Sequence, residues 1–555
     1  MAAAPSVLLR RLEATRVAYG PGDATAKLTL LRALARARLA SARDVLRLHE
    51  HLCYLRAYPD NRAVLAQVAR MLRDFSLRRD LARHRDALAD SGIAGTEIRY
   101  RFFWPTARWL ASRWPGYLSI DWDNVDEPDR LAAALPLLVT PVEARWLRQH
   151  APAARDALDR LRGARTPDGT FYVRRVEALP GDNFTREAFF DNLDTPLLVR
   201  PGRGTPSRTL AHYARAPVHF SGQAPRRGRP SLRQAIAEPP RSVRVASRAE
   251  GRRLIDLAQE AMVTRSRDLD AFAYGDARDV RVVDDGGGLQ WAVIGMLPER
   301  RPLLRSSYGL LTLRNGVPLG YIQADVLFRC VDVAYNTFET FRGGEAAYVF
   351  GRLLATFRDL FAATSFTIEP YQLGDHNEEG IESGAWWFYY KLGFRPRNTA
   401  IGRLARAERT RMRSDSRYRS SARTLARLAK DYLYFETDGA RAPHWPRLNA
   451  LGARVAERLG SRAGADRERA VAEDVRDVMR RLGVADVAGA QARRAWEHWA
   501  PIVALLPDVA RWRTSERRAL GRIISAKGGL RDGEYLARFD AHPRLGPALR
   551  RLTGA

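Results

Sequence analysis

The sequence predicts an α+β protein that has a mixed sheet with flanking helices in the middle of the chain and helical regions on both sides. Hydrophobic residues recur at helical spacing in the first 200 residues and after residue 405, whereas the pattern in between changes to the alternation typical of strands. Hydrophobic residues make up 46% of the chain and aromatic residues 9%, so most of it can bury a core. At 555 residues the chain is too long for one ordinary core, and we expect several domains.

Residues 1–200 are predicted to form a mainly helical N-terminal domain. Leucines at near-helical spacing fill the stretch from 25 to 90, among Arg and Ala. A Tyr-Pro-Asp-Asn turn interrupts this stretch, and either Asp60 or Asn61 serves as the N-cap of the helix that follows. We therefore expect at least one helix to end and another to begin at this turn.

The segment from 99 to 114 is dense in aromatic residues and arginine. One interpretation is a stacking platform for nucleic-acid bases. The other is a helix that docks its aromatic face on a core and lays its arginine stems alongside. Asp121, Asp123 and Asp126 follow directly and would repel phosphate, which favours the second interpretation.

Three further regions follow the N-terminal domain. Residues 201–245 are rich in Pro, Arg and Gly, which resist regular structure, and are predicted to be a linker. Residues 246–405 are predicted to form the central α+β domain, and residues 406–555 a helical C-terminal domain. The predicted C-terminal helices include Ala422–Leu433, Leu448–Leu459, Ala470–Leu482 and Ala490–Leu505.

Two hairpins open the central domain. The first has the glycine run Gly286–Gly288 as its turn, with valine-rich segments on both sides. In the second, Asn315 and Gly316 are the residues of a type I′ turn between two alternating segments. We read the glycine run as a turn rather than as a phosphate loop, because no helix follows it.

After the hairpins the order is strand, helix, strand, helix, strand. Cys330–Phe338 is the first of these strands, and a helix from about 347 to 362 follows it. Ser365–Glu369 is the second strand, and the next helix ends at Gly393, a suitable C-cap. A strand that turns tightly into a helix N-terminus makes an anion site, because backbone N–H groups and the helix dipole both favour negative charge there.

The loop before the first helix and the end of the second helix each contain a short sequence motif. Tyr389-Tyr390-Lys391-Leu392-Gly393-Phe394 closes the second helix, and Asn377 precedes it. Arg342 opens the loop and Ala347 closes it, with Glu345 at the position between. Over roughly residues 250–400 the chain resembles the GCN5-related N-acetyltransferase (GNAT) superfamily, in which an R/Q-x-x-G-x-G/A loop cradles the pyrophosphate of coenzyme A. Glu345 stands where that phrase has its central glycine.

The resemblance implies an acyl-CoA-dependent N-acyltransferase that uses acetyl-CoA or a longer acyl-CoA as co-substrate and needs no metal. The cofactor-binding residues that it implies are Arg342, Gly343, Gly344, Ala346, Ala347 and Asn377. By the same resemblance, Tyr389 is the general acid that protonates the departing thiolate. Glu339, on the strand before the loop, and His376 are the two candidates for the base that takes the amine proton. The amine acceptor is not identified by the sequence.

Two other functions stay open. Glu345 in the phosphate loop and the large helical flanks are compatible with a non-catalytic binding or scaffold protein derived from the same fold. The formal net charge of +29 is compatible with nucleic acid or another acidic partner. However, nearly all of this charge is arginine spread over the whole chain, as a GC-rich coding sequence produces. The helical flanks would shape the acceptor site or an oligomer.

The cysteines and the distribution of apolar residues indicate where in the cell the protein is located. Cys53 and Cys330 lie far apart in the sequence, which argues against a disulfide framework and against a zinc site. The chain has no run of about 18 apolar residues, and its first residues lack the apolar core of a signal peptide. We therefore expect a cytoplasmic protein with no membrane partner.

Overall fold

The computed structural model describes residues 4–226, 228–343, 345–437, 439, 443, 445 and 447–554. The chain forms two compact units. The first comprises Met1–Pro225, Arg252–Tyr274 and Leu313–Leu319, and the second comprises Arg226–Gly251, Gly275–Thr312 and Gly320–Ala555. Both ends of the chain are mainly helical and a large sheet lies in its middle, so the α+β class with helical flanks is confirmed. The division into four domains stays a prediction.

Up to residue 200 the elements are mostly helices with three short strands. In chain order they are α1 (Pro5–Thr15), α2 (Asp23–Arg36), α3 (Ala42–Ala57), α4 (Arg62–Arg73), α5 (Arg79–Arg83), β1 (Ile98–Tyr100), α6 (Trp104–Arg113), β2 (Leu118–Ile120), α7 (Pro128–Ala134), α8 (Pro141–His150), α9 (Ala154–Arg162), α10 (Asp168–Glu177), α11 (Asn183–Leu193) and β3 (Leu197–Val199). The strands form an antiparallel sheet in the order β1-β3-β2.

Two local predictions in this unit are resolved. Asn61 is the N-cap of α4, since its side chain accepts a hydrogen bond of 3.0 Å from the N–H of Val64. Asp60 instead accepts a 2.7 Å bond from the buried Lys27 ammonium. In the aromatic–arginine segment, Trp104 is buried in the core and Trp109 donates to the Asp256 carboxylate at 3.1 Å. These aromatic side chains therefore pack as a docked helix face.

From residue 232 onwards the elements build the large sheet and the C-terminal helices. They are α12 (Leu232–Ala237), β4 (Ser242–Val245), α13 (Arg248–Val263), α14 (Asp270–Ala273), β5 (Gly275–Gly286), β6 (Leu289–Met296), β7 (Ser306–Arg314), β8 (Val317–Leu327), β9 (Cys330–Thr337), α15 (Ala346–Phe361), β10 (Ser365–Ile368), α16 (Pro370–Leu373), α17 (Glu378–Ser383), α18 (Ala385–Leu392), β11 (Arg395–Pro396), α19 (Thr399–Ser414), α20 (Ala422–Leu428), β12 (Leu433–Glu436), α21 (Leu448–Ala463), α22 (Arg467–Leu482), α23 (Ala490–Leu505), α24 (Thr514–Lys527), α25 (Asp532–Asp540) and α26 (Leu545–Thr553).

In the part of the chain that the structure describes, the large sheet has nine strands in the order β11-β12-β10-β9-β8-β7-β6-β5-β4. β9 and β10 run parallel, with α15 as the connection between them, whereas β8 and β9 run antiparallel. Both predicted hairpins are present. Asn315 and Gly316 have φ angles of 49° and 76°, as a type I′ turn requires, and the glycine run lies at the turn between β5 and β6.

Two segments differ from the sequence prediction. A single helix was expected over Ala422–Leu433, but α20 ends at Leu428 and Leu433–Glu436 forms β12, the strand between β10 and β11. The alternating burial of β12 is that of a strand, and this strand lies beyond the range 246–405. The expected linker at 201–245 contains α12 and the edge strand β4.

One arginine fixes α15 on the sheet. Arg352 forms a bidentate ion pair with Asp285, at 2.9 Å from Nε and 2.7 Å from Nη2, and both side chains are buried. Its guanidinium also donates to the carbonyls of Ala235, Glu238 and Pro239. The N-terminal half of α15 is therefore tied both to β5 and to the segment that begins with α12.

The described residues contain neither a membrane-spanning helix nor a cluster of metal ligands. Among the helices that the structure describes, none is long and apolar enough to cross a membrane. Within the same residues, no three His, Cys, Asp or Glu side chains come together as a metal site.

Candidate functional site

The parallel strands β9 and β10 part soon after they pair. Their register joins Cys330 to Ser365, Val331 to Phe366, and Asp332 to Thr367. β9 continues to Thr337, but β10 ends at Ile368 and the chain turns into α16. The edge of β9 after Asp332 therefore faces a gap instead of a neighbouring strand.

A cavity of 280 Å³ lies beside this gap. Its walls come from the end of β9 (335–337), from the loop and first residue of α15, and from the segment 372–389 that holds α16, α17 and α18. We call it the β9–α15 cavity. Its described lining residues all belong to the second unit.

Five of the residues singled out from the sequence line the β9–α15 cavity. They are Arg342, Gly343, Ala346, Asn377 and Tyr389. These positions span 48 residues of sequence, and the packing of α18 beside α15 brings them together.

Of the four remaining predicted residues, the three that the structure describes do not line the cavity. Ala347 packs against the hydrophobic core instead, and Gly344 lies outside the described residues. Glu339 is exposed in a short turn after β9, and the His376 side chain is 86% exposed. Neither candidate base is therefore positioned to take a proton inside this cavity.

The N-terminus of α15 attracts negative charge at the cavity wall. Its N-cap residue, Glu345, makes no side-chain capping bond, so the first-turn N–H groups keep their capacity to donate. Gly343 has a φ of 78°, a conformation that favours glycine, and a Cβ there would meet no described atom within 4 Å. The loop is thus open to a ligand that approaches the backbone.

Glu345 is turned away from the cavity. Its buried carboxylate accepts a 3.3 Å hydrogen bond from the backbone N–H of Arg226. The Arg226 guanidinium lies 4.9 Å from the centre of the Tyr348 ring, on the same side of α15. The Glu345 carboxylate is therefore not part of the described lining of the β9–α15 cavity.

Arg342 lies at the mouth of the cavity and is already engaged. Its guanidinium donates to the Glu379 carboxylate from Nη2 and to the Thr337 carbonyl, at 3.2 Å, from Nε. Both side chains of the ion pair are nearly half exposed. An anionic ligand would compete with Glu379 for this guanidinium.

Tyr389 presents its hydroxyl to the unpaired edge of β9. Its ring is buried among aromatic neighbours, with the Phe350 centroid at 5.4 Å and the Phe394 centroid at 5.9 Å. Burial raises the pKa of Tyr389 above its usual value, and a hydrogen bond from the backbone of Tyr335 acts in the opposite direction. The phenol therefore keeps its proton at neutral pH.

Two residues of the site were not predicted from the sequence. Tyr335 donates a 3.2 Å hydrogen bond to the carbonyl of Ala346, which joins β9 to the first turn of α15, and burial raises its pKa to about 12. Its alternation with Val331 and Val333 was a signal that it faces α15. Glu379, the partner of Arg342, gave no such signal.

Asn377 shapes the loop that forms one wall. Its side chain is the N-cap of α17, where Oδ1 accepts from the N–H of Gly380 at 3.2 Å. Its Nδ2 donates to the carbonyl of Tyr371 at 3.0 Å. Both polar atoms are thus used to hold the loop, and a direct contact with a cofactor stays a prediction.

The β9–α15 cavity therefore combines an unpaired strand edge, a helix N-terminus with an arginine beside it, and a buried phenol. Such a site suits a ligand that has an anionic part at the helix and a reactive part near the phenol. No family model, curated protein or solved structure matches the chain.

Proposed function

We propose that the protein is an acyl-CoA-dependent N-acyltransferase of the GNAT type, which transfers an acetyl or longer acyl group directly to an amine. The observation that carries the proposal is the meeting of Arg342, Gly343, Ala346 and Tyr389 in one cavity beside the gap between β9 and β10. These residues were singled out from two separate phrases of the sequence. Their convergence supports the resemblance independently of the phrases themselves.

The order of elements also supports the proposal. A strand (β9), an anion-attracting loop, a helix (α15), a second strand (β10) and a helix that carries Tyr389 follow one another, as the resemblance implies. β9 and β10 are the parallel pair of the sheet that the loop and helix connect.

The anionic part of coenzyme A would bind at the loop. The first-turn N–H groups of α15 and the Arg342 guanidinium supply donors for phosphate oxygens. Gly343 leaves space for the close approach of such a group. The bond of the Glu345 carboxylate to the backbone of Arg226 supports this placement, because it directs that negative charge away from the cavity.

Acyl-CoA supplies an acyl group activated as a thioester. A C–N bond forms between the amine and the acyl carbon and the C–S bond breaks, while the nitrogen loses one proton and the sulfur gains one. Tyr389 is the proton donor for sulfur, since its hydroxyl is protonated and lies in the cavity. Backbone N–H groups on the free edge of β9 would polarise the acyl carbonyl.

The proton that leaves the amine needs a different acceptor from the two that the sequence suggested. Glu339 and His376 are both exposed and lie off the lining of the β9–α15 cavity. We therefore assign neither of them to this step.

The proposal is tested by calorimetric titration of the full chain with acetyl-CoA, free coenzyme A and palmitoyl-CoA. We expect binding in roughly the micromolar range, weakened about tenfold by Arg342→Ala, since charge-assisted hydrogen bonds to phosphate are lost. Arg403→Ala is the matched control, because Arg403 is exposed on α19, away from the cavity. Absence of binding for all three ligands would overturn the proposal.

A non-catalytic binding protein is the second candidate, and the ion pair between Arg342 and Glu379 favours it, because it occupies the phosphate-binding arginine. The two functions differ in turnover. An acceptor screen that detects released coenzyme A with a thiol reagent separates them, since a non-catalytic protein would release no thiol whether or not it binds the acyl-CoA.

A further inference from the structure

A second cavity, of 370 Å³, lies at the same pair of strands but on the opposite face of the sheet. Tyr335 of β9 packs its ring 5.3 Å from Phe350 of α15, so the face of β9 that carries Tyr335 is covered by α15. Asp332 is three residues earlier and points to the other face, since successive strand residues alternate. We call this space, which Asp332 and Thr367 line, the Asp332 cavity.

The strand register places a polar and aromatic row along the Asp332 cavity. Thr367 of β10 stands opposite Asp332 of β9 on one side and opposite Tyr434 of β12 on the other. Tyr432, whose ring centre lies 6.2 Å from that of Tyr434, and Trp445 add further aromatic wall. The cavity thus has flat apolar sides next to a carboxyl group.

The carboxyl group of Asp332 can form further hydrogen bonds or an ion pair with a ligand. It accepts a 2.9 Å hydrogen bond from the Thr367 hydroxyl and has no ion pair with any described residue. Asp325, opposite it on β8, differs, since it is bonded to Ser307 at 2.6 Å and paired with Arg305 at 3.3 Å. Asp332 is therefore the carboxyl group of this row that is left for a ligand.

The charges around Asp332 favour a cation beside it. Burial, together with the nearby charge of Glu369, raises its pKa to about 8. An ammonium group in contact with Asp332 would stabilise the ionised carboxylate. The rings of Tyr432 and Tyr434 add their negative faces to the attraction.

Arg447 brings the opposite charge to the same cavity. It lines the space and makes no ion pair with an acid in the described part of the chain. Arg447 is exposed, so water can solvate its guanidinium. A ligand with both charges would gain a charge-assisted hydrogen bond to Arg447 in addition to its contact with Asp332.

We infer that the Asp332 cavity binds the acceptor of the proposed transferase, and that this acceptor is a small zwitterionic primary amine, with its ammonium group on Asp332 and its anionic group on Arg447. The role of this ligand as an acyl acceptor rests on the proposed function. Asp332 and Thr367 are the last paired residues before β9 and β10 part, so an amine held there lies at the start of the gap that the β9–α15 cavity borders from the other face. Asp332 then takes one proton from the bound ammonium before the C–N bond forms, which leaves a neutral amine. The nitrogen loses its second proton to water as the bond forms, while Tyr389 gives a proton to sulfur.

The test is calorimetric titration of the full chain with phenylalanine and with phenethylamine, which lacks the carboxylate. Phenylalanine is the probe because the cavity wall is aromatic. We expect phenylalanine to bind, and Asp332→Asn and Arg447→Gln each to weaken its binding about tenfold by removing a charge-assisted hydrogen bond. Phenethylamine should bind more weakly and respond to Asp332→Asn only.

The outcomes separate this inference from the proposed function. If coenzyme A binds but phenylalanine does not, or if Asp332→Asn leaves its binding unchanged, the inference is overturned and the proposed function stands. If phenylalanine binds through Asp332 and Arg447 but no coenzyme A binds, the ligand site stands and its role as an acceptor site is lost. Equal binding of both probes, unaffected by Arg447→Gln, would overturn the zwitterionic assignment.

Discussion

Glu379 holds the Arg342 guanidinium across the mouth of the β9–α15 cavity, from the first turn of α17. This pair links the loop before α15 to α17, a helix that begins more than thirty residues later in the sequence. In the proposed function Arg342 binds a phosphate, so the carboxylate competes with the ligand for the same guanidinium.

We therefore expect Glu379→Gln to strengthen binding of coenzyme A by about twofold to fivefold, the range for a half-exposed ion pair. Calorimetric titration measures the change, and added salt should reduce it because exposed charges are screened. Arg342→Ala should have the opposite effect. If Glu379→Gln weakened binding instead, Glu379 would hold Arg342 in place for the ligand rather than compete with it.

Tyr389→Phe separates proton donation from binding. The variant keeps the ring among Phe350 and Phe394 but loses the hydroxyl at the edge of β9. We expect the rate of acyl transfer to fall by about 10²-fold to 10⁴-fold, the usual contribution of a general acid, while the affinity for coenzyme A stays the same. Thiol release gives the rate. Tyr390→Phe, at the neighbouring position outside the cavity lining, is the control and should leave the rate unchanged.

The local elements of the site could be predicted from sequence, because their signals are local. Asn315 and Gly316 determine a turn, and the apolar side of α15 repeats at helical spacing. β12 was missed because its strand state depends on pairing with β10, which lies about 65 residues earlier. Asp332 was missed for the same reason, since only the register of β9 against β10 brings it to a cavity.

The raised pKa of Asp332 predicts a pH dependence of stability. Its pKa is about 8 in the folded protein and about 3.9 when unfolded. Between these values the folded state binds the extra proton, so the free energy of unfolding falls as pH rises and levels off above about pH 8. Asp332→Asn does not titrate, and it should therefore become more stable relative to the native protein from pH 5 to pH 8.

The measurement is the difference in urea midpoint between the two proteins at several pH values, followed by tryptophan fluorescence. Taking the difference cancels the contribution of other buried acids to the pH dependence. Glu260 and Asp268 are examples, since burial raises the pKa of each to about 7. A constant difference across this pH range would mean that Asp332 is ionised in the folded protein.

Arg352→Ala tests the anchor of α15. The substitution leaves Asp285 buried without its partner and removes donors from three backbone carbonyls. We expect a loss of about 3–5 kcal/mol in the free energy of unfolding, as is typical when one partner of a buried pair is removed. Urea denaturation measures it, and Arg403→Ala should change little. A double variant, Arg352→Leu with Asp285→Leu, should recover part of the loss, because no unpaired charge is left.

Gly320→Ala tests whether the spacing of β8 and β9 sets the shape of the β9–α15 cavity. A Cβ at Gly320 would lie 2.2 Å from the carbonyl oxygen of Asn336, a lining residue, so β9 must move. We expect a destabilisation of about 1–3 kcal/mol together with weaker binding of coenzyme A. Gly452→Ala is the matched control, since no described atom lies within 4 Å of the added Cβ and alanine favours the helix α21. Unchanged binding in Gly320→Ala, with stability lowered, would show that the cavity tolerates a shift of β9 and that its affinity depends on the α15 loop alone.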